Sequence, residues 1–308
     1  MTRLLITGAT GFIGEPAVRA AREYFEVHAT ARNCREQVPS GVQFRTCDLL
    51  NPADTIRLIE EVRPTHLLHL AWIATPGIYW TSPDNHRWVE ASKQLLLTFA
   101  RCGGKRAVLT GSCAEYDWTV GGVCHETNTP ARPHTTYGRC KLALAQWAEM
   151  FSREREIDIA WARLFWMYGP RESPVRLVPS VARSLLAGVS AACTSGTQIR
   201  DFLHVSDVAS ALVSLLQSRL TGPVNIGSGR PIAVRELIEC VARSCGRPDL
   251  IRLGERDTPT SEPPILVADV QRLHEELGWR PRIDLITGLC ETVGWWRGTT
   301  SEGVRKCA

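Results

Sequence analysis

The chain has 308 residues, 44% of them hydrophobic, and its 36 basic and 32 acidic side chains leave a net charge of +4. That length and composition can bury the core of one large α/β domain, alone or with a smaller lobe. The near balance of charge argues against a nucleic-acid partner, and no apolar run approaches the length of a membrane span. Strand-like runs fall near residues 3–7, 25–30, 42–46, 66–71, 106–110 and 157–164, with helical patterns between them near 14–23, 52–62, 84–102 and 136–153. Six strands separated by helices predict an α/β fold with a doubly wound parallel sheet of the Rossmann type. After Gly169-Pro170 the character changes. Helical patterns near 175–187, 206–218, 233–244, 269–277 and 285–297 alternate with short strands and with loops rich in Pro and Gly. This predicts a smaller α/β C-terminal lobe over residues 171–308, interleaved with a sheet domain over 1–170. The 11 cysteines are odd in number and scattered, without a C-x-x-C pair. They point to reduced thiols in a cytoplasmic protein and not to a disulfide frame or a zinc site. The first strand starts at once, which leaves no room for a signal peptide. No spacing of His, Cys, Asp or Glu suggests a metal.

The segment Gly8-Ala9-Thr10-Gly11-Phe12-Ile13-Gly14 follows the apolar run Leu4-Leu5-Ile6. A strand, a tight glycine turn and a helix start form the cradle that a dinucleotide diphosphate needs. Gly8 is expected to take the unusual dihedrals of the turn. Gly11 is expected to let the backbone approach phosphate, and Gly14 to let helix and strand pack closely. Residues 1–170 are thus read as the NAD(P)-binding domain. Farther on, Tyr137 and Lys141 lie four apart in a helical stretch and share its face. A nearby ammonium favours a phenolate, so the pair can move a proton to or from an alcohol oxygen. Ser112 ends the fifth strand, at the edge where open α/β sheets bind ligands, and can hydrogen-bond the same oxygen.

With these segments in order, the chain resembles the extended short-chain dehydrogenase/reductases of the nucleotide-sugar epimerase/dehydratase family. The likeness runs through Asp48-Leu49, His69-Leu70-Ala71, Tyr168-Gly169-Pro170, Arg200-Asp201-Phe202-Leu203-His204-Val205, Asn225-Ile226-Gly227-Ser228-Gly229 and Leu277-Gly278-Trp279-Arg280-Pro281. It implies Tyr137 as acid–base, Lys141 on the nicotinamide ribose and lowering the tyrosine pKa, and Ser112 on the substrate oxygen. It implies cofactor contacts from Gly8, Thr10, Gly11, Phe12, Ile13, Gly14, Asp48, Leu49, Leu70, Ala71, Trp72 and Thr110. Arg200, and Arg256 across a gap, would hold the nucleotide diphosphate, where a guanidinium suits phosphate. The partner implied is a nucleotide-diphosphate sugar bound by the 171–308 lobe, and a homodimer is expected from the helices near 84–102 and 136–153.

Cofactor and reaction follow from departures. Ala31 stands where NAD-using members carry Asp, and Arg32 follows, which favours NADP with NAD as the alternative. Family dehydratases carry an acid two residues after the serine. Here that residue is Ala114, with Glu115 one later and pointing elsewhere by strand alternation. Cys113 is off register for carbon epimerisation of the GDP-fucose synthase kind. Trp166 replaces the family's substrate-binding Asn, and an indole offers only one donor. Trp72, Trp80, Trp118 and Trp166 are candidates to wall a sugar or base pocket. His69 and His204 are read as positioning groups. The reading preferred is NADPH-dependent reduction of the C4 keto group of a nucleotide-diphosphate 4-keto-6-deoxy sugar. The alternative is a 4-epimerase with tightly bound NAD. A third, a non-catalytic NADP-binding regulator, is disfavoured by the intact Ser112, Tyr137 and Lys141.

Overall fold

Residues 2–33, 39–257 and 263–305 are described by a computed structural model, with side chains as far as Thr299. The first half runs β1 (Arg3–Thr7), α1 (Gly14–Ala21), β2 (Glu26–Ala31), β3 (Gln43–Thr46), α2 (Pro52–Val62), β4 (His66–His69), α3 (Asp84–Arg101), β5 (Arg106–Ser112), β6 (Gly122–Cys124), α4 (Thr136–Arg155) and β7 (Asp158–Leu164). The second runs β8 (Trp166–Tyr168), α5 (Leu177–Leu186), β9 (Ala191–Ala192), β10 (Ile199–His204), α6 (Val205–Gln217), β11 (Gly222–Ile226), β12 (Pro231–Ala233), α7 (Val234–Cys245), β13 (Ile251–Arg252), β14 (Ile265–Ala268) and α8 (Leu285–Arg305).

Seven strands form one parallel sheet in the order β11-β7-β5-β4-β1-β2-β3. Such a sheet must be covered on both faces, and alternation along β1 shows how. Leu4 and Ile6 point into a core with Val18 of α1 and Leu212 and Leu216 of α6. Leu5 points the other way, into a core with Ile59 of α2, Leu95 and Phe99 of α3 and Leu144 of α4. The apolar run read as one buried strand thus supplies both cores.

β11 is a seventh strand beyond the six expected. Its Val224 pairs with Ala162 of β7, and α6 packs on α1. The chain therefore returns to the large sheet after residue 170, over residues 205–226. β11 holds only three buried residues, Val224, Asn225 and Ile226, too short a signal to separate from a loop.

A second sheet in the order β12-β10-β14-β6, with β8 alongside β10, stands beside the strand ends of the first. Helices α5, α7 and α8 enclose a further core through Leu185, Leu237, Val241 and Leu289. The helix expected near 269–277 is one π-helical turn, Arg272–Glu276. The nine described cysteines are free thiols, and Cys34 and Cys307 lie outside the described residues. Among the described residues no helix is long and apolar enough to cross a membrane.

Candidate active site

One cleft of about 840 Å³ runs from the C-terminal edge of the large sheet to the second sheet. Its floor at one end is the β1–α1 turn. Gly8 has φ +67°, a conformation that strains any L side chain, and a Cβ there would lie 2.9 Å from the Ala71 amide nitrogen. A Cβ on Gly14 would drive into the Gly8 carbonyl oxygen, whereas Gly11 is exposed and has only that oxygen near it. No side chain caps the N-terminus of α1, so its first N–H groups and positive dipole end face the cleft. Gly14→Ala is expected to displace this turn. It should weaken dinucleotide binding at least tenfold and cost about 1–3 kcal/mol of stability by overpacking. Titration with dinucleotide alongside a thermal melt checks both, and unchanged affinity would show that the turn tolerates displacement.

A buried relay holds the facing loop. Thr7 Oγ1 accepts from the amides of Leu70 and Ala71, each at 3.2 Å, and lies 2.8 Å from His69 Nδ1. It therefore donates to Nδ1, and His69 Nε2 donates to Ser92 Oγ at 2.8 Å. Burial holds the His69 pKa down to about 3, so the ring is a neutral positioning group. His204 lies away from the cleft, where it accepts from the Ser206 amide at the start of α6 and meets the Tyr168 ring edge-on.

The end of the cleft that holds Ser112, Tyr137 and Lys141 is built from β5 and α4. Ser112 ends β5 and caps a 3₁₀ turn over Cys113–Glu115, its Oγ accepting from the Ala114 amide at 3.2 Å. Thr135 caps α4 by accepting from the Gly138 amide at 3.0 Å. A Cβ on Gly138 would strike the Ala114 carbonyl oxygen, so glycine lets the first turn of α4 lie directly on the turn after β5. That contact brings Tyr137 to Ser112. Burial pushes the Tyr137 phenol pKa up, and its hydrogen bond with Ser112 opposes this. Lys141, one turn on, donates to the Thr110 carbonyl at 2.8 Å, with its ammonium 3.8 Å from the centre of the Trp72 ring and 5.9 Å from that of Tyr137. Burial pushes the Lys141 pKa down to about 7. The Lys141 ammonium is thus held against the Trp72 ring and the Thr110 carbonyl, with the Tyr137 ring farther off.

Glu115 faces away from the cleft. Its carboxylate is fully buried, accepting from the Ser112 amide at 2.7 Å, Arg163 Nε at 2.8 Å and Trp161 Nε1 at 3.0 Å.

Of the residues singled out in the sequence, Gly8, Thr10, Gly11, Phe12, Ile13, Gly14, Arg32, Leu49, Leu70, Ala71, Trp72, Thr110, Ser112, Tyr137, Lys141, Trp166, Arg200 and Arg256 all line this cleft. Asp48 does not. It is exposed, and its Oδ1 accepts from the Leu50 amide at 3.1 Å, closing the turn that leads into α2. Arg200 and Arg256 stand at the far end, the guanidinium of Arg200 5.1 Å from the Trp166 ring centre. Trp72, Trp80 and Trp166 line the cleft, whereas Trp118 packs behind Trp80 and donates to the Cys113 carbonyl at 3.1 Å. Tyr79, Glu172 and Arg176 were missed because they lie on loops, where no periodicity marks which side chain turns inward. Tyr79 meets Tyr137 edge-on with ring centres 4.9 Å apart. Among the described residues no three His, Cys, Asp or Glu side chains are placed to hold a metal ion.

Comparison with known proteins agrees with this arrangement. The UDP-glucose 4-epimerase of Azospirillum brasilense is 26% identical over 98% of this chain and 94% of its own. UDP-glucuronic acid decarboxylase 3 of Arabidopsis thaliana is 28% identical over 93% of this chain and 86% of its own. The structure of Thermus thermophilus UDP-glucose 4-epimerase in complex with NAD superposes with a TM-score of 0.87 at 27% identity, covering 96% of this chain and 99% of that one. The family model described as the NAD dependent epimerase/dehydratase family matches residues 4–227, and with its parallel sheet and glycine turn in place the chain belongs to that family.

Proposed function

We propose that the protein is a nucleotide-diphosphate-sugar 4-epimerase that works with bound NAD. The observation that carries this reading is the convergence of Ser112, Tyr137 and Lys141 in the cleft while the only nearby carboxylate on that turn, Glu115, is locked to Arg163 behind it. A dehydratase needs an acid facing the sugar, and this turn offers none. The similarity to UDP-glucose 4-epimerases supports the same reading and favours it over a net reduction.

The residues fit a nicotinamide dinucleotide. The glycine turn and the open N-terminus of α1 suit its diphosphate. Leu49, Leu70, Ala71, Trp72 and Thr110 would border it, and Asp48 would act through the turn that sets Leu49. The bound dinucleotide supplies hydride acceptance and return. Tyr137 takes the proton of the C4 hydroxyl as the carbon is oxidised and gives one back when it is reduced. Ser112 hydrogen-bonds the same oxygen, and the charge of Lys141 favours the phenolate. Arg200 and Arg256 hold the sugar's diphosphate. Incubation of the purified protein with UDP-glucose, read by proton NMR, is expected to yield its 4-epimer without added cofactor, and denaturation is expected to release NAD. Unchanged sugar and no released dinucleotide would overturn the reading.

One observation favours a second reading. Ala31 ends β2 and Arg32 follows it, both lining the cleft, so the position carries an arginine and no carboxylate, a setting that suits a 2′-phosphate. The reaction would then be NADPH-dependent reduction of a 4-keto-6-deoxy sugar nucleotide. Under it, Arg32→Ala weakens NADPH about tenfold through one lost charged contact and leaves NADH unchanged. Under the epimerase reading the substitution leaves the NADH and NADPH affinities in the same ratio.

A further inference from the structure

The loop after Tyr168-Gly169-Pro170 carries a carboxyl group that the proposed chemistry does not use. Glu172 is 9% exposed and lines the cleft, yet its Oε2 has no hydrogen-bond partner among the described residues. A buried carboxyl without a partner costs about 1–3 kcal/mol or more, so such a group in a binding cleft points to a partner that arrives with the ligand.

Its neighbours place it. Arg171 holds a left-handed backbone at φ +69° and pairs with Glu15, the residue that follows Gly14 at the start of α1. On the other side, Arg176, whose charge acts on Glu172, has its guanidinium 5.3 Å from the Tyr79 ring centre, and Tyr79 touches Tyr137. The Glu172 segment is thus tied through Arg171 to the start of α1 and through Arg176 and Tyr79 to the aromatic wall beside Tyr137. On the proposed reading the cleft takes two diphosphates, the sugar's at Arg200 and Arg256 and the dinucleotide's at the start of α1, and Arg171 ties the Glu172 segment to the second of these. An ionised carboxylate there would repel it.

We propose that Glu172 is a binding residue that acts as the neutral acid, donating a hydrogen bond from its carboxyl to a diphosphate oxygen of the bound nucleotide. Burial raises its pKa to about 8, against the opposing pull of Arg176, so the acid form is present at neutral pH. The proposal rests on the reading that the cleft takes a dinucleotide and a nucleotide sugar.

The test is equilibrium binding of NAD, after removal of any co-purified dinucleotide, and, separately, of UDP-glucose, from pH 6.5 to 9, to wild type, Glu172→Gln and Glu172→Ala. Neither diphosphate titrates in this range. Lys141, with its pKa near 7, does, but it does so in all three proteins, so the ratio between proteins isolates Glu172. Glutamine keeps a donor and cannot ionise. Wild type and Glu172→Gln should bind equally at pH 6.5. Wild type should then fall behind, to about tenfold weaker at pH 9, one unit above the carboxyl's pKa. Glu172→Ala should bind more weakly than both at pH 6.5. The ligand that shows the widening ratio identifies the diphosphate concerned. A constant ratio across the range overturns the proposal and leaves the function reading standing. Failure of wild type to bind either ligand overturns both.

Discussion

Tyr137→Phe is expected to lower turnover about 10²–10⁴-fold, the range that a positioned acid–base supplies. The substitution removes only the phenolic oxygen. The ring keeps its edge-on contacts with Tyr79 and Trp80, at 4.9 and 5.7 Å between centres, so the aromatic wall and the fold should survive. The backbone amide of Tyr137 still donates to the Trp80 carbonyl at 3.1 Å, which holds the loop over the site. Binding of dinucleotide should therefore change little while the chemical step collapses. Single-turnover kinetics with a parallel dinucleotide titration separates the two. Turnover equal to wild type would remove Tyr137 from the mechanism. A loss of binding equal to the loss of rate would make it a structural residue.

The largest effect on stability is expected at Glu115. Its carboxylate is fully buried and accepts from the Arg163 guanidinium at 2.8 Å, from Trp161 at 3.0 Å and from the Ser112 amide at 2.7 Å. Arg163 itself is 6% exposed and also donates to the Tyr116 hydroxyl and the Glu126 carbonyl, each at 3.1 Å. Glu115→Ala leaves that guanidinium buried with no counter-charge and frees the amide that sets Ser112. Removing one partner of a buried pair costs about 3–5 kcal/mol. In a chain of this size that lowers the melting temperature by roughly 5–8 °C. Calorimetry checks the shift, and a melting point within a degree of wild type would show that the pair contributes little. Activity measured below the melting point should also fall, because Ser112 loses its anchor. Glu115→Gln, which keeps an acceptor for the amide, should recover more of the activity than of the stability.

The two experiments probe opposite sides of one turn. Ser112 and Tyr137 face the cleft from the end of β5 and the start of α4. Glu115 faces the core three residues after Ser112. The acid three residues after Ser112 is thus a strut, and its sequence position alone does not make it a proton donor.

Much of this was legible in the chain because it rests on local rules. The unbroken apolar run Leu4-Leu5-Ile6 and the recurrence of such short runs determined a parallel sheet covered on both faces, since such strands have no face to leave in water. Gly8 and Gly14 were readable because a Cβ at either would clash with the backbone around that turn, while Gly11 has only the Gly8 carbonyl oxygen near it and followed from the motif alone. Tyr137 and Lys141 were readable because residues four apart share a helix face. What only the tertiary structure decided involves contacts between segments distant in sequence. β11 joins the sheet because its three buried residues find β7, not because its own pattern demands a strand. Asp48 is a local exception, its carboxylate accepting from the Leu50 amide two residues on, a turn that its motif does not reveal. Glu115 became a buried partner only when β7 brought Arg163 and Trp161 beside it, 48 and 46 residues along the chain. Glu172 and Tyr79 turn inward on loops, whose side-chain directions are set by the surfaces they pack against and by no period of their own.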